Sequence, residues 1–349
     1  MVNATVSNPG YIDGSGDSYA LFLKKWSGEI LTTFEETNVM KALQTHRTIQ
    51  NGKSAQFPVV GTATTAYHTP GQSLLDGSYP NTIKHAERLI FVDKMLTSSV
   101  FIAKADELIN HYDVRSVYAT ELGRAMAKKF DEQLLLLSVI GAYQQTPTPG
   151  TTQKGSIIKA AGSTAANILS GIRVAMQTLD EKDIPAEDRA IIVNPETFYK
   201  IIEQKDMIDR DVSPDNGSMA GGTLFRAWGG KIYVSNHIPA SVNHANTDHL
   251  HVGGTASTNG NNYSINLALG GNNTGAGALD AAAGINAVVL QKSGLGTVSL
   301  MDLAMESEYQ VERQGSLFVS KYAMGHGVLR PECCAVVQQA DCTAAIDAD

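Results

Sequence analysis

The sequence predicts an α+β protein. Three observations carry this: one long run of helical periodicity over residues 112–143, two strand-like stretches around a turn-rich tip within residues 52–93, and an alternation of short helices and strands after residue 164. At 349 residues the chain has room for two domain-sized cores or for one large irregular body.

Residues 1–16 are small, polar and rich in glycine, which predicts a mobile tail, and residues 17–45 are mixed and partly helical. Residues 54–63 and 82–92 have strand character, and Pro70, Gly71, Gly77 and Pro80 lie between them, so the pair reads as a long hairpin. A two-stranded ribbon alone is marginally stable in water, so this one is expected to lie against another surface.

Tyr118, Leu122, Met126, Phe130, Leu134 and Leu137 then recur at steps of four and three, which puts them on one face of a helix over 112–143. Asp113 or Ser116 can cap its start, Lys128 and Glu132 are spaced to pair, and the prolines of 146–152 end it. At about 1.5 Å per residue its length is on the order of 40 Å.

A second amphipathic helix is predicted over 164–179 through Ile168, Leu169, Ile172, Met176 and Leu179, with Pro185 beyond its end. Residues 189–193 form a short buried strand. Asn194-Pro195 opens another helix, to about residue 204, with a capping side chain followed by proline at the first helical position. Residues 206–222 read as a polar loop and 230–234 as strand, while 253–284, rich in Gly, Asn and Ala, support little core.

Strands follow at 287–291, 297–303, 317–322 and 335–338, closing a sheet on the earlier helices. In "KYAMGHGVLRPE" (321–332), Gly325 and Gly327 are expected to end a strand in a turn and Pro331 to limit its continuation, which leaves His326 positional rather than catalytic.

Composition narrows the function classes. Only 18% of residues are charged, below the roughly 25% of an ordinary soluble domain, so more of the surface than usual is expected to be covered, with other copies of the chain as one candidate. A net charge of −8, from 27 Lys and Arg against 35 Asp and Glu, argues against a sequence-blind grip on phosphate backbones. The apolar runs at 20–23 and 134–140 are too short for a signal-peptide core or a membrane span. Cys333, Cys334 and Cys342 lack metal-ligand spacing and fit buried or surface thiols in a reducing cytoplasm.

The motifs that suggest chemistry fail on inspection. Asn51-Gly52-Lys53-Ser54 looks like the end of a phosphate-binding loop, but the first glycine of that motif is Arg47 here, and "AQFPVV" cannot start the helix the motif requires. His237, His244, His249 and His251 sit close together near Asp248, yet no carboxylate or cysteine stands at a fixed zinc spacing, so a polar loop leading into a strand is the expectation. No nucleophile elbow or His-Glu-x-x-His helix occurs. The expectation is a protein that is not an enzyme, with no cofactor and no metal.

"GKSAQFPVVG" (52–61), "NHYDVRS" (110–116), "SKYAMGHGVLRPE" (320–332) and "SYALFLKKWSGEILTTF" (18–34) resemble, in the same order, stretches of the major capsid protein of short-tailed, T-seven-like bacteriophages. The resemblance implies the Hong-Kong-97-type capsid fold. It would divide the chain into an N-terminal arm (1–51), an extended hairpin loop (52–93), a peripheral domain with a spine helix (94–188, helix 112–143), an axial domain (189–284), and returning peripheral strands with a tail (285–349).

It also implies self-assembly through pentamers and hexamers into an icosahedral shell in the bacterial host cytoplasm. The implied partners are other copies, a scaffolding protein and a portal or connector protein, with double-stranded DNA enclosed but not read, and no membrane. Lys53, Gln56, Phe57, Val59 and Val60 are the expected inter-subunit contacts, and Gly52, Gly61, Gly71 and Gly77 the expected hinges of the loop. The rival readings are an encapsulin-type cargo shell and a P-loop nucleotide hydrolase.

Overall fold

The computed structural model describes residues 38–61, 85–104, 114–144, 153–160, 164–204, 226–238 and 285–339, with residues 63, 65, 67–71, 73, 83, 217–218 and 223–224 between them. Its strands are β1 (Thr45–Thr48), β2 (Ser54–Val60), β3 (His85–Phe91), β4 (Leu96–Ala103), β5 (Ser156–Ala160), β6 (Arg189–Val193), β7 (Gly217–Ser218), β8 (Thr223–Leu224), β9 (Arg226–Ala227), β10 (Gly230–Val234), β11 (Ile285–Gln291), β12 (Leu295–Gln310), β13 (Gly315–Val328) and β14 (Cys334–Gln339). The helices are α1 (Val114–Tyr143), α2 (Ala165–Glu181) and α3 (Pro195–Ile202). The chain divides into two compact units, one of residues 1–37, 96–127 and 303–322, the other of 38–95, 128–302 and 323–349.

In the first unit β13 runs antiparallel to β4, from Gly315 opposite Ala103 to Tyr322 opposite Leu96. Alternation turns Val100 and Ile102 inward, where Ile102, Leu122 of α1 and Phe318 form a small core with Leu303 and Met305. Gly315 is required at the start of β13, because a Cβ there would stand 2.5 Å from the Ile102 carbonyl oxygen.

The second unit is built on a six-stranded sheet in the order β5-β14-β11-β6-β10-β9. Every residue of β6 and β11 is buried, the mark of central strands covered on both faces. α2 lays Ile168, Ile172, Ala175, Met176 and Leu179 into the core formed with Ile191, Val193, Val289 and Val337. Gly171 gives Val337 its place, since a Cβ there would meet Val337 Cγ1 at 2.6 Å. α3 starts as predicted: Thr197 N–H donates to Asn194 Oδ1 at 2.9 Å, with Pro195 following the cap.

α1 departs from its predicted pattern in three places. It begins by Val114, so Ser116 is inside the helix rather than capping it, and Tyr112 and Asp113 lie outside the described residues. Tyr118 is 38% exposed although it belongs to the predicted apolar face. From Gln133 to Tyr143 every residue is buried, as in a helix surrounded by protein, so the amphipathic pattern ends where Lys128 and Glu132 pair at 3.7 Å.

The glycine turn expected at Gly325 and Gly327 is absent, because β13 continues through both. Gly327 serves a close approach, since its Cβ would meet Ile90 Cγ1 at 2.8 Å. The chain turns later. Leu329 N–H and Arg330 N–H both donate to Gly294 O, at 2.9 and 3.2 Å, and Pro331 opens a 3-10 turn to Cys333. The polar loop expected over 206–222 holds, within its described part, the strand β7, which pairs with β8.

Candidate functional site: the hairpin and its root

β2 and β3 pair antiparallel from Ser54 opposite Phe91 to Val60 opposite His85. Side chains alternate between faces, so Ala55, Phe57 and Val59 share one face with Ala86, Arg88 and Ile90, while Gln56, Pro58 and Val60 share the other with His85, Glu87 and Leu89. The first face is anchored. Ala55, Ile90 and Val92 pack with Val298, Ala323 and Leu329, and Phe57 lies partly buried against that cluster.

The root is closed by hydrogen bonds. Val92 N–H donates to Lys53 O at 2.7 Å, and Asp93 N–H donates to Met324 O at 3.2 Å. Gly52 turns the chain into β2 at φ 113°, a conformation that a side chain resists. Arg47 Nη1 donates to Gln56 O at 2.8 Å and its guanidinium lies over the Phe57 ring at 5.7 Å. Lys53-Ser54 therefore leads into a strand and not into a helix N-terminus, so there is no dipole and no row of free N–H groups to hold phosphates.

The residues expected to contact neighbours separate by face. Lys53, Gln56 and Val60 are exposed, Val60 by 57%, whereas Phe57 is half-buried and Val59 is only 7% exposed within the single chain. Sequence reading overlooked Leu89, which lies opposite Gln56 on the outward face and is 42% exposed. The signal was available in the alternation of "HAERLIF" against "SAQFPVV", but only once the pairing register is known. An open depression lined by Arg47, Gln56, Pro58, His85, Ala86 and Glu87 lies along the hairpin. Of the expected hinges, Gly71 sits in a turn at φ 92°, Gly61 follows the end of β2, and Gly77 lies outside the described residues.

Within the hairpin's unit two buried polar groups hold segments together. Asp131 of α1, wholly buried, accepts from Val39 N–H at 3.0 Å and Met40 N–H at 3.2 Å, so it caps a 3-10 turn 91 residues away. His237 Nδ1 stands 3.6 Å from the same carboxylate; His244, His249 and His251 lie outside the described residues. His326 is buried edge-on to Phe130 at 5.0 Å, with Nδ1 2.8 Å from Thr297 Oγ1, and burial pushes its pKa down to about 3, with His46 adding to the effect.

Cys333 and Cys334 are buried free thiols that burial holds above their ordinary range, and Cys342 is outside the described residues. Among the described residues no group of His, Cys, Asp and Glu is placed to hold a metal ion, and no helix is long and apolar enough to cross a membrane.

The hairpin is thus a ribbon anchored on one face in its own chain, with Val60 and Leu89 exposed on the other. The family model for Gp10A-like major capsid proteins matches residues 56–338. The chain belongs to the Gp10A-like major capsid protein family. Within that family, the major capsid protein of Escherichia phage T7 is 32% identical over 343 residues, covering 93% of each chain. The major capsid protein of Enterobacteria phage T3 is 30% identical over 351 residues, again covering 93% of each.

The capsid structure of cyanophage P-SCSP1u superposes with a TM-score of 0.70 at 32% identity, over 87% of this chain and 88% of that one. The fold is the Hong-Kong-97-type capsid fold, in its T-seven-like form. The function is structural, as a subunit of a phage's icosahedral shell. Neither the encapsulin-type reading nor the P-loop hydrolase reading is favoured, and the strand that follows Lys53-Ser54 contradicts the second directly.

Proposed function

We propose that this capsid chain assembles through pentamers and hexamers, and that the outward face of its hairpin is a principal contact between subunits. The observation that carries the contact is that Val60, opposite His85, and Leu89, opposite Gln56, are two exposed apolar side chains on one face of a ribbon whose other face is already anchored in its own chain. Lys53 and Gln56 flank that apolar pair, and Phe57 and Val59 support it from behind. Identical chains in five-fold and six-fold positions need a place to absorb small angular differences. Gly61, Gly71 and Gly77, beyond the anchored root, supply it, while Gly52 sets a fixed turn.

The division of the chain follows the same reading: arm 1–51, hairpin loop 52–93, peripheral domain 94–188 with 285–349, and axial domain 189–284. The shell assembles in the bacterial host cytoplasm with a scaffolding protein and a portal or connector protein. It encloses double-stranded DNA without reading its sequence, in keeping with the charge of −8. The chain performs no catalysis.

The decisive experiment replaces Val60 and Leu89 together with aspartate. The variant should stay within about 0.5 kcal/mol of wild-type stability in urea, because both side chains are exposed. It should form no closed shells by electron microscopy under conditions where the wild type does. Normal shells from this variant would rule the outward face out as a contact.

A further inference from the structure

Arg88 is a cation whose recognition edge meets nothing. It lies on the anchored face of the hairpin, opposite Phe57 and between Ala86 and Ile90, and it is half-buried. Its Nε and Nη2 are buried and have no hydrogen-bond partner, and it makes no ion pair or ring contact with any described residue. The other arginine beside Phe57 is engaged, since Arg47 donates to Gln56 O and lies over the Phe57 ring.

Nε and Nη2 form one edge of the guanidinium, a fork of two parallel N–H donors spaced to meet both oxygens of a carboxylate. Leaving charged donors buried and unmet destabilises a fold, and native structures retain few such groups. No hydrogen bond holds this fork where it is. β3 has β2 as its only neighbour in the sheet, so the long side chain can swing the fork past the open edge of the ribbon without breaking a bond.

We propose that Arg88 clamps a carboxylate of a second copy of this chain when the shell forms. The chain carries groups of the matching kind. Glu308 of β12 and Glu312 of the turn that follows are exposed beside the exposed Tyr309 and Val311, and neither glutamate makes an ion pair among the described residues. A phosphate would also fit the fork, but Phe57 and Ile90 on the same face favour a partner that brings apolar surface with its charge. The inference rests on the shell reading above and adds a contact that Val60 and Leu89 do not make.

The test uses the full-length chain, comparing wild type with Arg88→Leu and Arg88→Lys. Leucine removes the unmet donors, so the unassembled variant should melt at or above the wild-type temperature, while the lowest protein concentration that gives closed shells rises at least about tenfold. Arg88→Lys keeps the charge without the fork and should assemble at a threshold between the two. Its amine also allows carbodiimide coupling, in which an amide bond forms to an adjoining carboxylate and the carbodiimide takes up the lost water as a urea. In shells built from isotope-labelled and unlabelled subunits, the coupled peptides should include pairs with one labelled and one unlabelled arm. Shells from Arg88→Leu at the wild-type concentration would overturn the proposal, and reduced DNA content in them would identify phosphate as the ligand of the fork. A lowered melting temperature would also overturn it, by showing that the guanidinium supports its own chain. So would coupled peptides that are absent or always carry the same label in both arms. Failure of the wild type to form shells is a different result and would remove the shell reading, and this inference with it.

Discussion

His326 shows what a single buried residue does to the behaviour of the whole subunit. Its folded pKa of about 3 lies below the ordinary value of 6.5, so the unfolded chain binds the proton first as the pH falls. The associated stability is fully present above pH 6.5 and is lost progressively as the pH drops toward 3, by up to about 1.4 kcal/mol per pH unit. Urea unfolding of wild type and His326→Gln between pH 7 and pH 4 should show the wild type losing stability faster. Parallel curves would remove His326 from the acid response.

Asp131 gives a second measurement. Asp131→Ala leaves the buried Met40 N–H and the partly buried Val39 N–H without their acceptor and should cost about 3 kcal/mol in urea unfolding. Neither partner of Asp131 was legible in the sequence, because a bond spanning 91 or 92 residues leaves no local spacing to read.

Elements with local causes were read correctly from sequence, and those with distant causes were not. The Asn194 cap needs only its own turn, and Asn194→Ala should cost about 1 kcal/mol, read as a lowered urea midpoint. Gly325 and Gly327 look identical to turn residues in the sequence, and only the proximity of Ile90 reveals a strand interior. Tyr118 keeps the helical spacing of its neighbours, yet the spacing does not say where along a helix the cover ends. Ile90→Ala should cost about 3 kcal/mol, because the packing of the hairpin root converges on that side chain. A loss below about 1 kcal/mol would mean that the root is held mainly by its hydrogen bonds.

For the whole molecule, stability belongs to the assembly as much as to the fold. Contacts that exist only between folded subunits favour the folded state by mass action, and a closed lattice applies them to each copy several times. Assembled particles should therefore unfold at a higher temperature than isolated subunits in the same buffer, as calorimetry can show. The fold was legible because four stretches stand in the family's order, but which hairpin side chains face outward was only half legible. That Leu89 is exposed with Val60 while Val59 is buried becomes visible only when the pairing register says which way each strand residue points.

The side chain of Ile90 fits between Gly296 and Gly327, at distances of 2.8 to 3.1 Å from where their Cβ atoms would be. This makes the ribbon's base a keyed joint. A slide of two residues, the smallest that preserves facing, would bring the longer, charged Arg88 or the smaller Val92 into the slot, and neither matches it. The base of the ribbon is thus indexed to a single notch, which fixes its register against the strands it packs on.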